Sequence, residues 1–174
     1  MSIVSLVVIL ISLLSIAWSD FKSRAVWWAW FGILLIGILI HKASYFSGVD
    51  MLTHLTLNVL ILCSYWVGLK IYFYVKFKKN ERITDKYLGL GDMVFIIICS
   101  VVFTPDFLVS FIIFGAVFGV FFYAIAKLVN PAKTTSIPLA GILSIMLAVL
   151  YISFECLAHA TIYDWSPLQW IVTT

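Results

Sequence analysis

The stretch from Ser2 to Ser19 reads SIVSLVVILISLLSIAWS, and the residue that follows it is Asp20. An α-helix needs about 20 apolar residues to cross a hydrocarbon core, so residues 2–19 are expected to form a membrane span. The run opens without a basic segment and closes without a small-residue cleavage site. It therefore reads as a retained helix rather than a removed signal peptide. Asp20-Phe-Lys22-Ser-Arg24 closes it as a short polar turn.

The rest of the chain has the same character. Of 174 residues 64% are hydrophobic and 11% charged, with a net charge of +3. Soluble domains carry about 25% charged residues, and this chain has too few polar groups to cover a water-facing surface. A soluble enzyme and a disordered chain are excluded on that ground. The small, interrupted positive charge excludes a phosphate-tracking nucleic-acid binder. Cys63, Cys99 and Cys156 are isolated in apolar sequence and form no CxxC pair. They read as small buried hydrophobes, and no residue cluster points to a metal or another cofactor.

Six apolar runs follow one another, so the expected fold is all-α: a single membrane-embedded domain over 1–174 with six transmembrane helices. The expected spans are 2–19, 25–40, 51–74, 88–103, 107–126 and 138–154. Trp27, Trp28 and Trp30 are placed as an interfacial belt, and 41–50 reads as a loop. Thr104-Pro105-Asp106 reads as a tight turn, and Pro138 suits the first turn of a helix. Gly115 and Gly119 form a GxxxG pair, read as close helix packing within the fold.

Six spans put alternate loops on opposite sides. Lys22 and Arg24, then Lys70, Lys76, Lys78, Lys79, Arg82 and Lys86, then Lys127 and Lys133 fall on one side, leaving Lys42 alone on the other. The positive-inside rule makes the crowded side cytoplasmic, with both termini outward. The basic loop 76–86 is expected to set this topology and to meet anionic lipid.

The acids are then few enough to sort. Asp50, Asp106, Glu155 and Asp164 fall in outer loops or the tail, and Glu81 and Asp85 in the basic loop, all with solvated explanations. Asp20 and Asp92 remain. Asp20 closes an inward-running span, and Asp92 lies about one turn into an outward-running one. Topology alone therefore delivers both to the cytoplasmic leaflet. A carboxylate inside a span is costly and functional by default. Leu88-Gly89-Leu90-Gly91-Asp92 adds two glycines that lower helix propensity at that mouth. They also allow close approach of another chain. Two facing carboxylates can share one proton, one acting as base on water while the other protonates the leaving amine. On the residues alone, other readings of Asp92 stay open: a buried ion pair with a cytoplasmic Lys, or a proton or cation site in a small transporter or channel subunit. Asp20 taken alone fits a solvated boundary residue.

These residues resemble the type IV prepilin peptidases, the GxGD membrane aspartyl proteases. That family carries an Asp at the cytoplasmic end of its first core helix, followed by D-x-[KR]-x-R-x-I-P-N. Here the segment is Asp20-Phe-Lys22-Ser-Arg24-Ala-Val26-Trp27-Trp28. The second family Asp lies in G-x-G-D, here Gly89-Leu90-Gly91-Asp92. Ile137-Pro138-Leu-Ala-Gly-Ile-Leu143 is a loose counterpart of the P-F-x-P-F-L segment that opens the last core helix. The resemblance implies an aspartic endopeptidase with Asp20 and Asp92 catalytic and Gly89, Gly91, Lys22 and Arg24 supporting them. It needs no cofactor or metal, and it trims the basic leader from a prepilin or pseudopilin at the cytoplasmic face of the inner or plasma membrane. Trp27-Trp28 replaces the family's Pro-Asn, and Val94 stands where many members have Lys. The cysteine-bearing N-terminal segment linked to methylation has no counterpart, so the short core-only form is expected. The remaining alternatives are an inactive pilus-assembly protein with the same fold and a presenilin-like protease. Six spans are too few for the latter, and Pro138-Leu-Ala140 does not reproduce its P-A-L segment.

Overall fold

The computed structural model describes residues 3–23, 25–43, 48–77, 89–129 and 138–157. The described residues are helical almost throughout. The helices are α1 (Ile3–Ser23), α2 (Trp28–Ala43), α3 (Gly48–Phe77), α4 (Leu90–Val102), α5 (Pro105–Val129) and α6 (Leu139–Ile152), with a π-turn over Ser153–Leu157 after α6. They fall where six spans were expected, but only three are long and apolar enough to cross a membrane: α1, α3 over Met51–Tyr72, and α5 over Pro105–Leu128. α2, α4 and α6 have 16, 13 and 14 residues, and at 1.5 Å per residue they reach only about 20–24 Å. The core of a bilayer is about 30 Å thick.

Local chemistry explains the short α4. Pro105 starts α5 and disfavours helical backbone just before it. That residue is Thr104; Phe103, one position earlier, is extended (φ −92°, ψ 154°) and ends α4. The carbonyls left open at that end are taken by neighbouring helices. Asn58 of α3 donates through Nδ2 to Ser100 O and Phe103 O, both at 2.7 Å. Lys42 of α2 donates through Nζ to Val101 O at 2.7 Å. Lys42 was expected as the lone basic residue of the outer loops. Instead α2 continues past Ile40, and both His41 and Lys42 are buried.

The core lies between α1, α2, α4 and α6. α1 buries Leu6, Ile9, Leu13 and Ile16, α2 buries Phe31, Leu34 and Ile38, and α6 buries Leu143, Leu147 and Tyr151. These three- and four-residue spacings draw one apolar stripe along each helix. α1 packs most extensively, against α2 on one side and α6 on the other. Gly37 allows the first approach, because a Cβ there would come within 3.2 Å of Ile9 Cγ1. Gly115 of α5 seats Leu143 of α6, and a Cβ would collide with Leu143 Cδ2. The glycine pair of α5 therefore packs within the fold at this position. α3 adds Leu62 and α5 adds Phe107, Leu108 and Phe111 to this core, but both helices expose most of their apolar side chains. Cys99 is buried, but Cys63 is exposed on α3, against the expectation for it. Trp27 and Trp28 are 70% and 60% exposed beside the start of α2, in keeping with an aromatic belt.

Candidate functional site: two aspartates on one helix start

α6 begins without a cap of its own. Pro138 is its N-cap residue and supplies no side-chain acceptor. The N–H groups of the second and third helical residues, Ala140 and Gly141, would ordinarily be satisfied by a Ser, Thr, Asp or Asn at that position. Here two carboxylates from elsewhere in the chain take them. Ala140 N–H donates to Asp92 Oδ1 at 2.7 Å, and Gly141 N–H donates to Asp20 Oδ2 at 2.6 Å. The positive end of the α6 dipole favours negative charge there.

Each aspartate arrives on its own helix. Asp20 lies in the last turn of α1, which continues to Ser23. The polar turn expected to begin at Asp20 is thus still helix, because the final turn stays packed on α6. Asp20 is 8% exposed, which corrects the picture of a solvated boundary residue. Asp92 is the third residue of α4 and half-buried. Its second oxygen, Oδ2, accepts from Gly89 N–H at 3.2 Å, the acidic half of a capping box. One carboxylate therefore ties the starts of α4 and α6 together. Consecutive residues are only about 3.8 Å apart along the chain, so carboxylates docked on adjacent amides stand close, and each feels the charge of the other.

The glycines act sterically. Gly89 has φ −68° and ψ 146°, which any residue can adopt. Its hydrogen matters because a Cβ would sit 3.2 Å from Asp92 Oδ2. Gly91 is less constrained, since a Cβ would meet only Phe31 Cζ, at 3.8 Å. Gly141, which stood in the loose family counterpart without a role, is the tightest of the three. A Cβ there would lie 3.1 Å from Asp20 Oδ2 and 3.1 Å from Phe21 Cε2.

Lys22 is exposed in the last turn of α1. Arg24 and loop residues 78–86 lie outside the described residues, as do the side chains of Lys76 and Phe77. The ion pair between Asp92 and a Lys, left open from sequence, is not found among the described residues. Nor does any group of three His, Cys, Asp or Glu there have metal-binding geometry. An apolar cleft of about 450 Å³ opens between α5 and α6, lined by Phe107, Phe111, Phe114, Phe118, Met146 and Leu150 among others, and neither aspartate borders it.

What sequence reasoning missed is the receiver. Backbone amides leave no side-chain signature, and the available signal was a proline followed by small residues, Pro138-Leu-Ala140-Gly141, at a helix start without a polar cap. Comparison with known proteins found no matching family model, no matching curated protein and no matching solved structure. The arrangement stands on its geometry: two acids from separate helices, at one end of an apolar bundle, on neighbouring amides.

Proposed function

We propose that the chain is a membrane aspartyl endopeptidase that removes the short basic leader of type IV prepilin-like precursors. The observation that carries this reading is the docking of Asp20 and Asp92 on the adjacent amides of Ala140 and Gly141. Two acids held this close at the recessed start of a short helix form a pair able to divide acid and base roles. One carboxylate takes a proton from water as the water oxygen bonds to the scissile carbonyl carbon. The other carboxyl donates its proton to the leaving amine as the C–N bond breaks.

The chain is read as multi-spanning, with the Asp20 end of the bundle at the cytoplasmic face and both termini outside. α2, α4 and α6 complete six spans as short helices, and their recessed ends leave a polar entry on the side where a substrate's basic leader would lie. The substrate is a single apolar helix with its leader in the cytoplasm. Anionic lipid is expected around the basic 76–86 segment.

A second reading has an observation of its own. Both aspartates satisfy helix starts that would otherwise be open, and a catalytically inactive assembly protein would need them for that alone. Asparagine separates the two most cleanly at Asp20, where its one oxygen can still accept from Gly141 N–H but the amide cannot exchange a proton; at Asp92 it keeps one of two amide bonds, to Ala140 or to Gly89. Asp20→Asn and Asp92→Asn, each co-expressed with a prepilin, should accumulate in the membrane at wild-type levels and leave the leader uncut. Processing at the wild-type rate by either variant would sink the peptidase reading and leave the capping one.

A further inference from the structure

The other end of α6 is also pinned by buried polar groups. Glu155, in the π-turn that follows α6, is 5% exposed rather than solvated in a tail as its sequence position implied. Its Oε1 lies 3.2 Å from His41 Nε2. A carboxylate only accepts, so Nε2 carries the hydrogen. His41 is 1% exposed. Its Nδ1 lies 2.9 Å from Ser5 Oγ, a hydroxyl able to pair in either role. The Tyr151 ring meets the imidazole edge to face at 6.1 Å. Three segments, α1, α2 and the end of α6, thus meet in one knot.

The spacing of the knot relative to the aspartates is the telling feature. Ser5 and Asp20 are fifteen residues apart on α1, and Gly141 and Glu155 are fourteen apart on α6 and its π-turn. At 1.5 Å per residue these intervals are about 22 and 21 Å. Two antiparallel helices therefore carry polar rungs at matching separations, Asp20 to Gly141 at one end and Ser5–His41–Glu155 at the other. The stripe between the rungs is apolar apart from Ser12 and Ser144, whose hydroxyls donate back to their own helices, to Val8 O and Gly141 O. In lipid such a stripe gains no hydrophobic driving force, because the acyl chains are as apolar as the partner helix. It leaves the axial register weakly set.

The geometry points to His41 and Glu155 as positioning residues: the Ser5–His41–Glu155 knot fixes the axial register of α6 against α1 and thereby seats the Ala140 and Gly141 amides on the two aspartates. A slide of one residue's rise, about 1.5 Å, would pull the 2.6 and 2.7 Å amide bonds past hydrogen-bonding distance. The register claim stands on the fold, and only its consequence for cleavage rests on the proposed peptidase.

Hydrogen exchange of the full chain in bilayer nanodiscs tests it, read at the Ala140 and Gly141 amides. His41→Ala and Glu155→Ala should speed exchange there by about tenfold, the scale of one lost hydrogen bond to a charged group. Glu155→Gln, which keeps an acceptor, should return it most of the way, and Ser5→Ala should move it less than His41→Ala. Glu155→Gln and Ser5→Ala are mild enough to keep the comparison if an alanine variant fails to fold. Faster exchange confined to residues 153–157, with Ala140 and Gly141 unchanged, would overturn the proposal. In parallel, His41→Ala should lower kcat for leader cleavage with KM unchanged. No cleavage by the wild type would fail the peptidase reading while leaving the exchange result to decide the register.

Discussion

The two ends of α6 solve the same problem in opposite ways. At the start, unsatisfied backbone amides receive two carboxylates whose described partners are main-chain N–H groups and each other's charge. Beyond the far end, one carboxylate receives an imidazole N–H and is sealed at 5% exposure. Glu155 accepts from a side-chain N–H, whereas Asp20 and Asp92 accept from backbone amides and also lie within reach of each other's charge. Two acids drawn together despite their repulsion are what proton-sharing chemistry requires.

If that contrast is real, substitutions at the two ends must differ in kind. The largest effect belongs to the paired acids. Asp92→Asn and Asp20→Asn should each slow leader cleavage by at least about 10³-fold, the upper range for loss of an acid or base, with thermal unfolding little changed for Asp20→Asn and lowered for Asp92→Asn, which gives up one of two amide bonds. Next is Gly141→Val. Its side chain would press on Asp20 Oδ2 and Phe21, and a displacement of about 1 Å at a reacting group costs about 10²-fold in rate, read in the same assay. At the other end, Glu155→Ala should lower stability as well as loosen the Ala140 and Gly141 amides. It leaves the buried His41 N–H without its acceptor, at about 1–3 kcal/mol, seen as a lower unfolding midpoint in detergent. Smallest is Gly91→Ala. A Cβ at Gly91 would make only an ordinary contact with Phe31, and the helix propensity of alanine predicts a gain of about 0.5–1 kcal/mol, checked by the same melt. A Gly91→Ala variant as damaging as Gly141→Val would break the steric distinction between the two glycines.

Much of the aspartate end was legible in the sequence. With charge so scarce, Asp20 and Asp92 stood out as a pair, although Asp20 alone fitted a solvated boundary residue, and alternation of spans put them at one end. Geometry then supplied the adjacency. Helix lengths were less legible, because a run of apolar residues does not show where side chains from other helices will cap an early end. Asn58 and Lys42 do this for α4. The Ser5–His41–Glu155 knot was not legible at all. His41 and Glu155 each looked like a polar residue just past a span, and only the packing of α1, α2 and α6 shows that both turn inward. The α6 amides were invisible for a different reason, since any residue but proline carries one.

The most direct test of the paired-acid account is leader cleavage by the purified chain, reconstituted in bilayers with a prepilin whose leader is labelled. The account predicts one cut by the wild type and none by Asp20→Asn or Asp92→Asn, with both variants folded. A wild-type cleavage rate in either variant would contradict it.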